Sequence, residues 1–149
     1  MKKIFLSLIA IVLIGFNTFA QDEKIGEDRN GEFVITANLD YVLKAWNDVL
    51  IQQKIDTKLE TLDIRSGRYE NSGGEYFMLV AYNSDNSTKV ACMINRVNGN
   101  FLLREGELKT TVTCKGCTQG CRPECGKDDK GWKCSDPCST CEKTETISY

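Results

Sequence analysis

The sequence of 149 residues contains no histidine and only two prolines. Without histidine the chain cannot build a Ser-His-Asp or Cys-His catalytic site, a histidine-bound zinc site or an imidazole proton shuttle. Its length predicts a single domain with room for a short appendage, which excludes a multi-domain enzyme. Because 41% of the residues are hydrophobic, the chain is too apolar to be disordered, and we expect a packed core.

The sequence also lacks a cluster of basic residues. Beyond residue 20 it holds 17 basic and 21 acidic residues, a net charge of −4. A protein that binds the phosphate backbone needs lysines and arginines gathered on one surface. No stretch of this sequence supplies them, so we expect no nucleic-acid partner, and we interpret the mild acidity as a contribution to solubility.

Residues 1–20 have the pattern of a cleaved signal peptide. Lys2 and Lys3 precede the apolar run 4–16, and Thr18 and Ala20 place small residues where a signal peptidase cuts. A membrane-spanning helix needs about 20 apolar residues, and this run is shorter. We therefore predict an exported protein, periplasmic or extracellular, with no integral membrane segment after the signal is removed.

The next part of the chain predicts one helix followed by strands. Residues 21–31 are polar and predict a flexible lead-in, and residues 32–36 predict a short strand. Apolar residues at helical spacing predict a helix over 39–50, with Asn38 as its N-cap and Trp46 in its buried face. Strand patterns follow at 62–65, 76–82, 89–97 and 101–113, and Asn98-Gly99 predicts a two-residue hairpin turn.

This element order predicts an α+β domain over residues 32–113, in which a single helix packs on a curled antiparallel sheet of four to five strands. The order resembles that of the cystatin fold. Cystatin inhibitors carry a Gln-x-Val-x-Gly loop in the first hairpin after the helix, whereas residues 68–74 read RYENSGG here. The resemblance therefore implies a topology and does not imply protease inhibition.

Residues 114–149 form an irregular, cysteine-rich C-terminal appendage with few aliphatic residues. Burial of apolar surface alone cannot order such a segment, so cross-links or a metal must do so. The spacing of its cysteines is C-x2-C-x3-C-x3-C-x8-C-x3-C-x2-C. The disulfide candidates are the seven cysteines Cys114, Cys117, Cys121, Cys125, Cys134, Cys138 and Cys141.

Three interpretations of these cysteines remain open. We favour disulfides, because export places the thiols in an oxidising compartment. The alternative is a metal site, zinc first and iron second, held by thiolates of the two outer C-x2-C pairs. Its ligands would be Cys114, Cys117, Cys138 and Cys141. A third interpretation makes one C-x-x-C pair a thiol-disulfide exchange site.

The eighth cysteine, Cys92, lies in an apolar run and predicts a buried, inert thiol. We identify no catalytic residues and no cofactor, apart from zinc under the alternative interpretation. The sequence thus predicts an exported, non-enzymatic binding or interaction protein, whose partner is a protein or a small-molecule ligand outside the cytoplasm.

Overall fold

The structure is a computed structural model and describes residues 22–118, 120–126, 131–135 and 140–147. The predicted signal peptide and Cys138 lie outside these residues. In chain order the elements are β1 (Glu23–Arg29), β2 (Glu32–Ile35), α1 (Asp40–Gln52), β3 (Thr61–Arg68), β4 (Glu75–Tyr82), β5 (Thr88–Val97), β6 (Asn100–Leu103), α2 (Glu105–Leu108), β7 (Thr110–Lys115), β8 (Arg122–Cys125), β9 (Trp132–Ser135) and β10 (Glu142–Ile147).

The long strand β5 organises an eight-stranded sheet in which every pairing is antiparallel. One side of β5 carries β4 and then β3. On its other side, the first half of β5 pairs with β7, which in turn pairs with β10. The second half of β5 pairs with β6, which is followed in the sheet by β1 and β2. Because β2 comes to lie beside β3, the sheet curls into a half-barrel. Strands β8 and β9 form a separate hairpin.

Helix α1 confirms the predicted helix and fills the concave side of the half-barrel. The N-cap is Leu39 rather than the predicted Asn38, whose side chain still accepts a hydrogen bond from the backbone N–H of Asp40 at 2.9 Å. Val42, Trp46 and Leu50 are fully buried along one face and join the inner core. Trp46 is therefore a core residue, as its spacing predicts.

Strand β4 is apolar on both faces because it separates two cores. Its residues Phe77, Leu79 and Ala81 belong to the inner core beneath α1. The alternate residues Tyr76, Met78 and Val80 belong to an outer core on the opposite face of the sheet. The continuous apolar run, predicted as a central strand, thus packs against the inner core on one face and the outer core on the other.

The prediction of a flexible lead-in over residues 21–31 is wrong from residue 23 onward, because β1 pairs with β6 on one side and with β2 on the other. Most residues of β1 are polar, so the sequence shows no apolar alternation that would predict a strand. Ile25 is nevertheless fully buried and packs in the inner core. Asn30 and Gly31, with φ of 57° and 93°, form the tight turn into β2.

The predicted strand 101–113 is in fact β6, the short helix α2 and β7. The chain must turn between them because β6 and β7 pair with different halves of β5. The predicted turn at Asn98-Gly99 is confirmed, since both residues have positive φ between β5 and β6. The α+β class is confirmed, whereas the sheet has eight strands rather than four to five, and the cystatin-like topology is not confirmed.

The cysteine-rich tail is not an irregular appendage. Strand β7 runs through the predicted boundary at residues 113 and 114, and β10 pairs with β7 over six residues. The β8–β9 hairpin then folds back against β5 and β7. In the part of the chain that the structure describes, no helix is both long and apolar enough to cross a membrane.

Neighbouring residues of α1 test the packing of the inner core. We expect Leu50→Ala to lower the free energy of unfolding by about 2–5 kcal/mol, because it leaves a cavity beneath the helix. Ile51→Ala, at a side chain that is 72% exposed, should change it by no more than about 0.5 kcal/mol. Urea unfolding followed by circular dichroism measures both, and equal losses would contradict the described packing.

Candidate functional site

Two disulfides attach the tail to the half-barrel. Cys114 on β7 is bonded to Cys134 on β9, and Cys121 before β8 is bonded to Cys141 before β10. In each pair the Cα atoms are 5.7 Å apart and 20 residues separate the cysteines. Cys117 is disulfide-bonded as well. The two pairs indicate a protein of an oxidising, extracytoplasmic compartment.

The disulfides bear on the two other interpretations of the cysteines. In this oxidised state Cys114 and Cys141 are each bonded to another cysteine, so neither offers the thiolate that a metal ligand must be. Among the residues that the structure describes, no group of three or more acidic or cysteine side chains is arranged to hold a metal ion. Neither described disulfide closes within a C-x-x-C pair, as an exchange site would require. The predicted metal site therefore needs a reduced form of the tail.

Two further sulfurs lie on opposite faces of the sheet. Cys92 on β5 is fully buried in the inner core, where burial raises the pKa of its thiol well above the ordinary range, as expected of an inert cysteine. Cys125 on β8 lies on the outer face, with its Sγ 3.5 Å from Sδ of Met93.

The outer core lies between the sheet and the β8–β9 hairpin. Trp132 of β9 is 9% exposed and packs in the same cluster as the sulfurs of both disulfides. Gly116 is required here, because a Cβ at this position would lie 2.3 Å from Sγ of Cys121. The Nζ of Lys143 donates to Trp132 O at 2.7 Å and to the Glu145 carboxylate at 2.8 Å, while Trp132 N donates to Glu145 at 3.3 Å.

A groove of about 490 Å3 opens between β3 and β4 on one side and the β8–β9 hairpin on the other. Its apolar surface comes from Tyr76, Met78 and Pro123, which are all buried. Arg65 of β3, opposite Met78 on the same face of the sheet, contributes to one polar wall. The opposite wall belongs to the hairpin and carries charged side chains, namely Arg122, Glu124 and Lys133.

Gly67 determines the position of Tyr76 in this groove. A Cβ at residue 67 would lie 2.2 Å from Cζ of the tyrosine ring, so the ring lies over the bare backbone of β3. The Tyr69 ring packs against it, with centroids 4.9 Å apart. The Tyr76 hydroxyl accepts a hydrogen bond from the N–H of Cys125 at 3.3 Å and so links the sheet to the hairpin. Burial raises the pKa of Tyr76, which keeps the phenol neutral.

An ion-pair network closes one end of the groove. Lys133 of β9 forms a hydrogen-bonded ion pair with Glu70, which follows β3, and a second one with Glu124 of β8 at 3.4 Å. The hydrogen bond to Glu70 raises the pKa of Lys133. This lysine therefore connects the β3–β4 turn to both strands of the hairpin.

Of the seven disulfide candidates, four form the two described bonds and Cys117 is also disulfide-bonded. Cys125 is in neither of the two described bonds and lies beside Met93, and Cys138 is outside the described residues. The sequence interpretation missed the groove, because β3 and β8 are more than 50 residues apart and neither carries a binding motif. The only local signal is Gly67, just beyond the predicted strand 62–65 and within β3 as the structure has it, because a glycine in a strand indicates a close approach of another group. Comparison with family models, with curated proteins and with solved structures finds no match to this chain.

The cysteine pairing is testable by peptide mapping of the exported protein without reductant. We expect cross-linked peptides that join Cys114 to Cys134 and Cys121 to Cys141. The double variant Cys114→Ser/Cys134→Ser should lose about 2–4 kcal/mol of stability, and reductant should weaken it further because the second bond remains. Native mass spectrometry is the control, since a zinc ion that chelator removes would support the metal interpretation instead.

Glu145 makes the attachment of β9 sensitive to acid. Its hydrogen bond from Lys143 lowers the pKa of this carboxyl below 4.5, so its stabilisation is present above that pH and is lost as the pH falls. Because the pair is 43% exposed, solvent screens it, and Glu145→Gln should cost less than about 1 kcal/mol at pH 7.

Urea unfolding at about pH 7 and about pH 3 measures this effect, and the difference between Glu145→Gln and the unmodified protein should vanish at the lower pH. Glu142→Gln on the same strand is the matched control and should have little effect at either pH. An equal cost for Glu145→Gln at both pH values would show that the charge of Glu145 is not what stabilises β9.

Proposed function

We propose that this chain is an exported, non-enzymatic binding protein that holds its ligand in the groove between the half-barrel and the tail hairpin. The observation that carries the proposal is the groove itself, whose volume of about 490 Å3 is typical of small-molecule sites. Its floor of Tyr76, Met78 and Pro123 offers apolar contact, and its charged walls supply groups that can orient a ligand.

The contacts that hold the hairpin against the half-barrel support a groove that is already formed before a ligand binds. The disulfide from Cys114 to Cys134, the hydrogen bond from Cys125 to Tyr76 and the ion pairs of Lys133 all join the hairpin to the half-barrel. Walls that are fixed in this way cost little conformational entropy when a ligand binds. The position of the site outside the cytoplasm agrees with the two disulfides.

The side chains of the groove favour binding over catalysis. Glu124 forms an ion pair with Lys133, and the Tyr76 phenol has a raised pKa, so neither is prepared to accept a proton from a substrate. The sequence supplies no histidine to act in their place. These features support recognition of a ligand rather than its conversion.

A blocked groove tests the proposal. Two-dimensional amide NMR of the exported protein, screened with a mixed library of neutral, anionic and cationic aromatic fragments, should show shifts concentrated at Tyr76, Met78 and Cys125. Arg65→Trp, at a half-buried position beside Met78 on the groove face of β3, should abolish those shifts, because the indole fills the space.

Ser84→Trp is the matched control, because Ser84 is exposed in the β4–β5 turn and does not line the groove. It should leave the shifts unchanged. Fragments that bind only elsewhere, or that bind equally well to the Arg65→Trp protein, would overturn the proposal.

A further inference from the structure

The outer face of β4 and β5 carries a second group of sulfur atoms, apart from the two described disulfides. Met78 of β4 and Met93 of β5 lie directly opposite each other in the sheet, and both pack in the outer core. Side chains in such a cross-strand pair are close neighbours, because their Cβ atoms are about 4.5–5.5 Å apart. The outer face thus holds two adjacent thioethers, and beyond residue 20 the sequence contains no other methionine.

The thiol of Cys125 on β8 lies against this pair of thioethers. Its Sγ donates a hydrogen bond to Sδ of Met93 at 3.5 Å. The N–H of Cys125 donates to the Tyr76 hydroxyl at 3.3 Å, which holds this residue of β8 against the sheet. Cys125 and Met78 also line the same groove. Folding therefore gathers one thiol and two thioethers from three separate strands.

An ion can reach these sulfur atoms from two sides. Met78 and Cys125 line the groove of about 490 Å3, whereas Met93 lines a second cavity of about 210 Å3 beside Tyr69 and Tyr76. Met93 and Cys125 are half-buried, and Met78 is 5% exposed. A largely apolar surrounding of this kind limits the access of water to a bound ion while leaving a path for the ion to enter.

We propose that the sulfur atoms of Cys125, Met93 and Met78 bind a soft monovalent metal ion, Cu(I). Thiolate and thioether sulfurs are soft ligands that select Cu(I), whereas Mg²⁺ and Ca²⁺ prefer oxygen. The ion takes the place of the thiol proton between Cys125 and Met93, so one proton is released for each ion bound. The thiolate then balances the charge of the ion, which lowers the cost of placing it in the outer core.

This site is different from the zinc site that the cysteine spacing predicts. Zinc would need thiolates from Cys114 and Cys141, which are bonded to other cysteines in the oxidised protein. The three proposed ligands belong to neither described disulfide, so the ion and both of these bonds can be present together. The inference goes beyond the proposed function, since an organic ligand in the groove needs no metal.

Titration of the exported protein with Cu(I), under anaerobic conditions and without reductant, tests the inference. Ag(I) is the redox-inert match, and labelling of the methionine methyl groups with ¹³C gives each thioether its own NMR signal. We expect one ion to bind per chain and to shift the methyl signals of both Met78 and Met93. Zn²⁺ should bind at least about a hundredfold more weakly, because its usual ligands are thiolate, imidazole and carboxylate rather than thioether.

Substitutions locate the ion, with affinity measured by competition with a colorimetric Cu(I) chelator. Cys125→Ser should weaken binding at least about a hundredfold, and Met93→Leu and Met78→Leu at least about tenfold each, since loss of an outer-shell partner alone costs about 10–100-fold. Leucine is close to methionine in volume, so circular dichroism should show both variants folded. Cys92→Ala is the matched control, because that thiol is buried in the inner core, and it should leave the affinity unchanged.

The site is excluded if neither ion binds, if Cys125→Ser or Met93→Leu leaves the affinity unchanged, or if peptide mapping of the exported protein finds Cys125 in a disulfide. An unchanged affinity in Met78→Leu would overturn the assignment of Met78 as the third ligand. The fragment screen of the groove is carried out without metal. Failure of the copper site would therefore leave the proposed function standing, and failure of the fragments to bind would leave the copper site standing.

Discussion

The outer face of β4 and β5 is apolar, and the whole molecule depends on keeping it covered. Tyr76, Met78, Val80 and Ala91 are buried there, beneath a tail that has few aliphatic side chains of its own. Such a tail gains too little from burial to offset the entropy of ordering its backbone. The disulfides provide the stabilisation that burial does not, because they remove conformational freedom from the unfolded tail and hold Trp132 against the sheet.

The same attachment creates the groove. The β8–β9 hairpin covers only part of the outer face, so an open cleft remains where β3 and the first part of β4 continue beyond it. Gly67 lets the Tyr76 ring lie flat at the base of this cleft, and Lys133 joins the hairpin to the β3–β4 turn. Reduction of the disulfides would therefore release a wall of the site together with the cover of the second core. The same disulfides therefore stabilise the fold and hold the wall of the candidate binding site in place.

The basic character of the groove arises from folding alone. Arg65 comes from β3, whereas Arg122 and Lys133 come from the hairpin, more than 50 residues later. Each is surrounded in the sequence by acidic or neutral residues, which is why composition indicates a mildly acidic protein without a basic patch. Coulomb interactions depend on distance in space, so a field of one sign needs no run of like charges along the chain.

The sequence by itself determined the helix α1 with its buried face, the turn at Asn98-Gly99, the burial of Cys92 and the dependence of the tail on sulfur. Each of these follows from periodicity, backbone conformation or composition within a short segment. Only the tertiary structure decided that residues 23–29 form a strand, that β7 and β10 extend the sheet, which cysteines pair and where the cations gather. Strand partners, sulfur partners and charge clusters are chosen by distances between residues far apart in the chain, and those distances exist only once the sheet has curled.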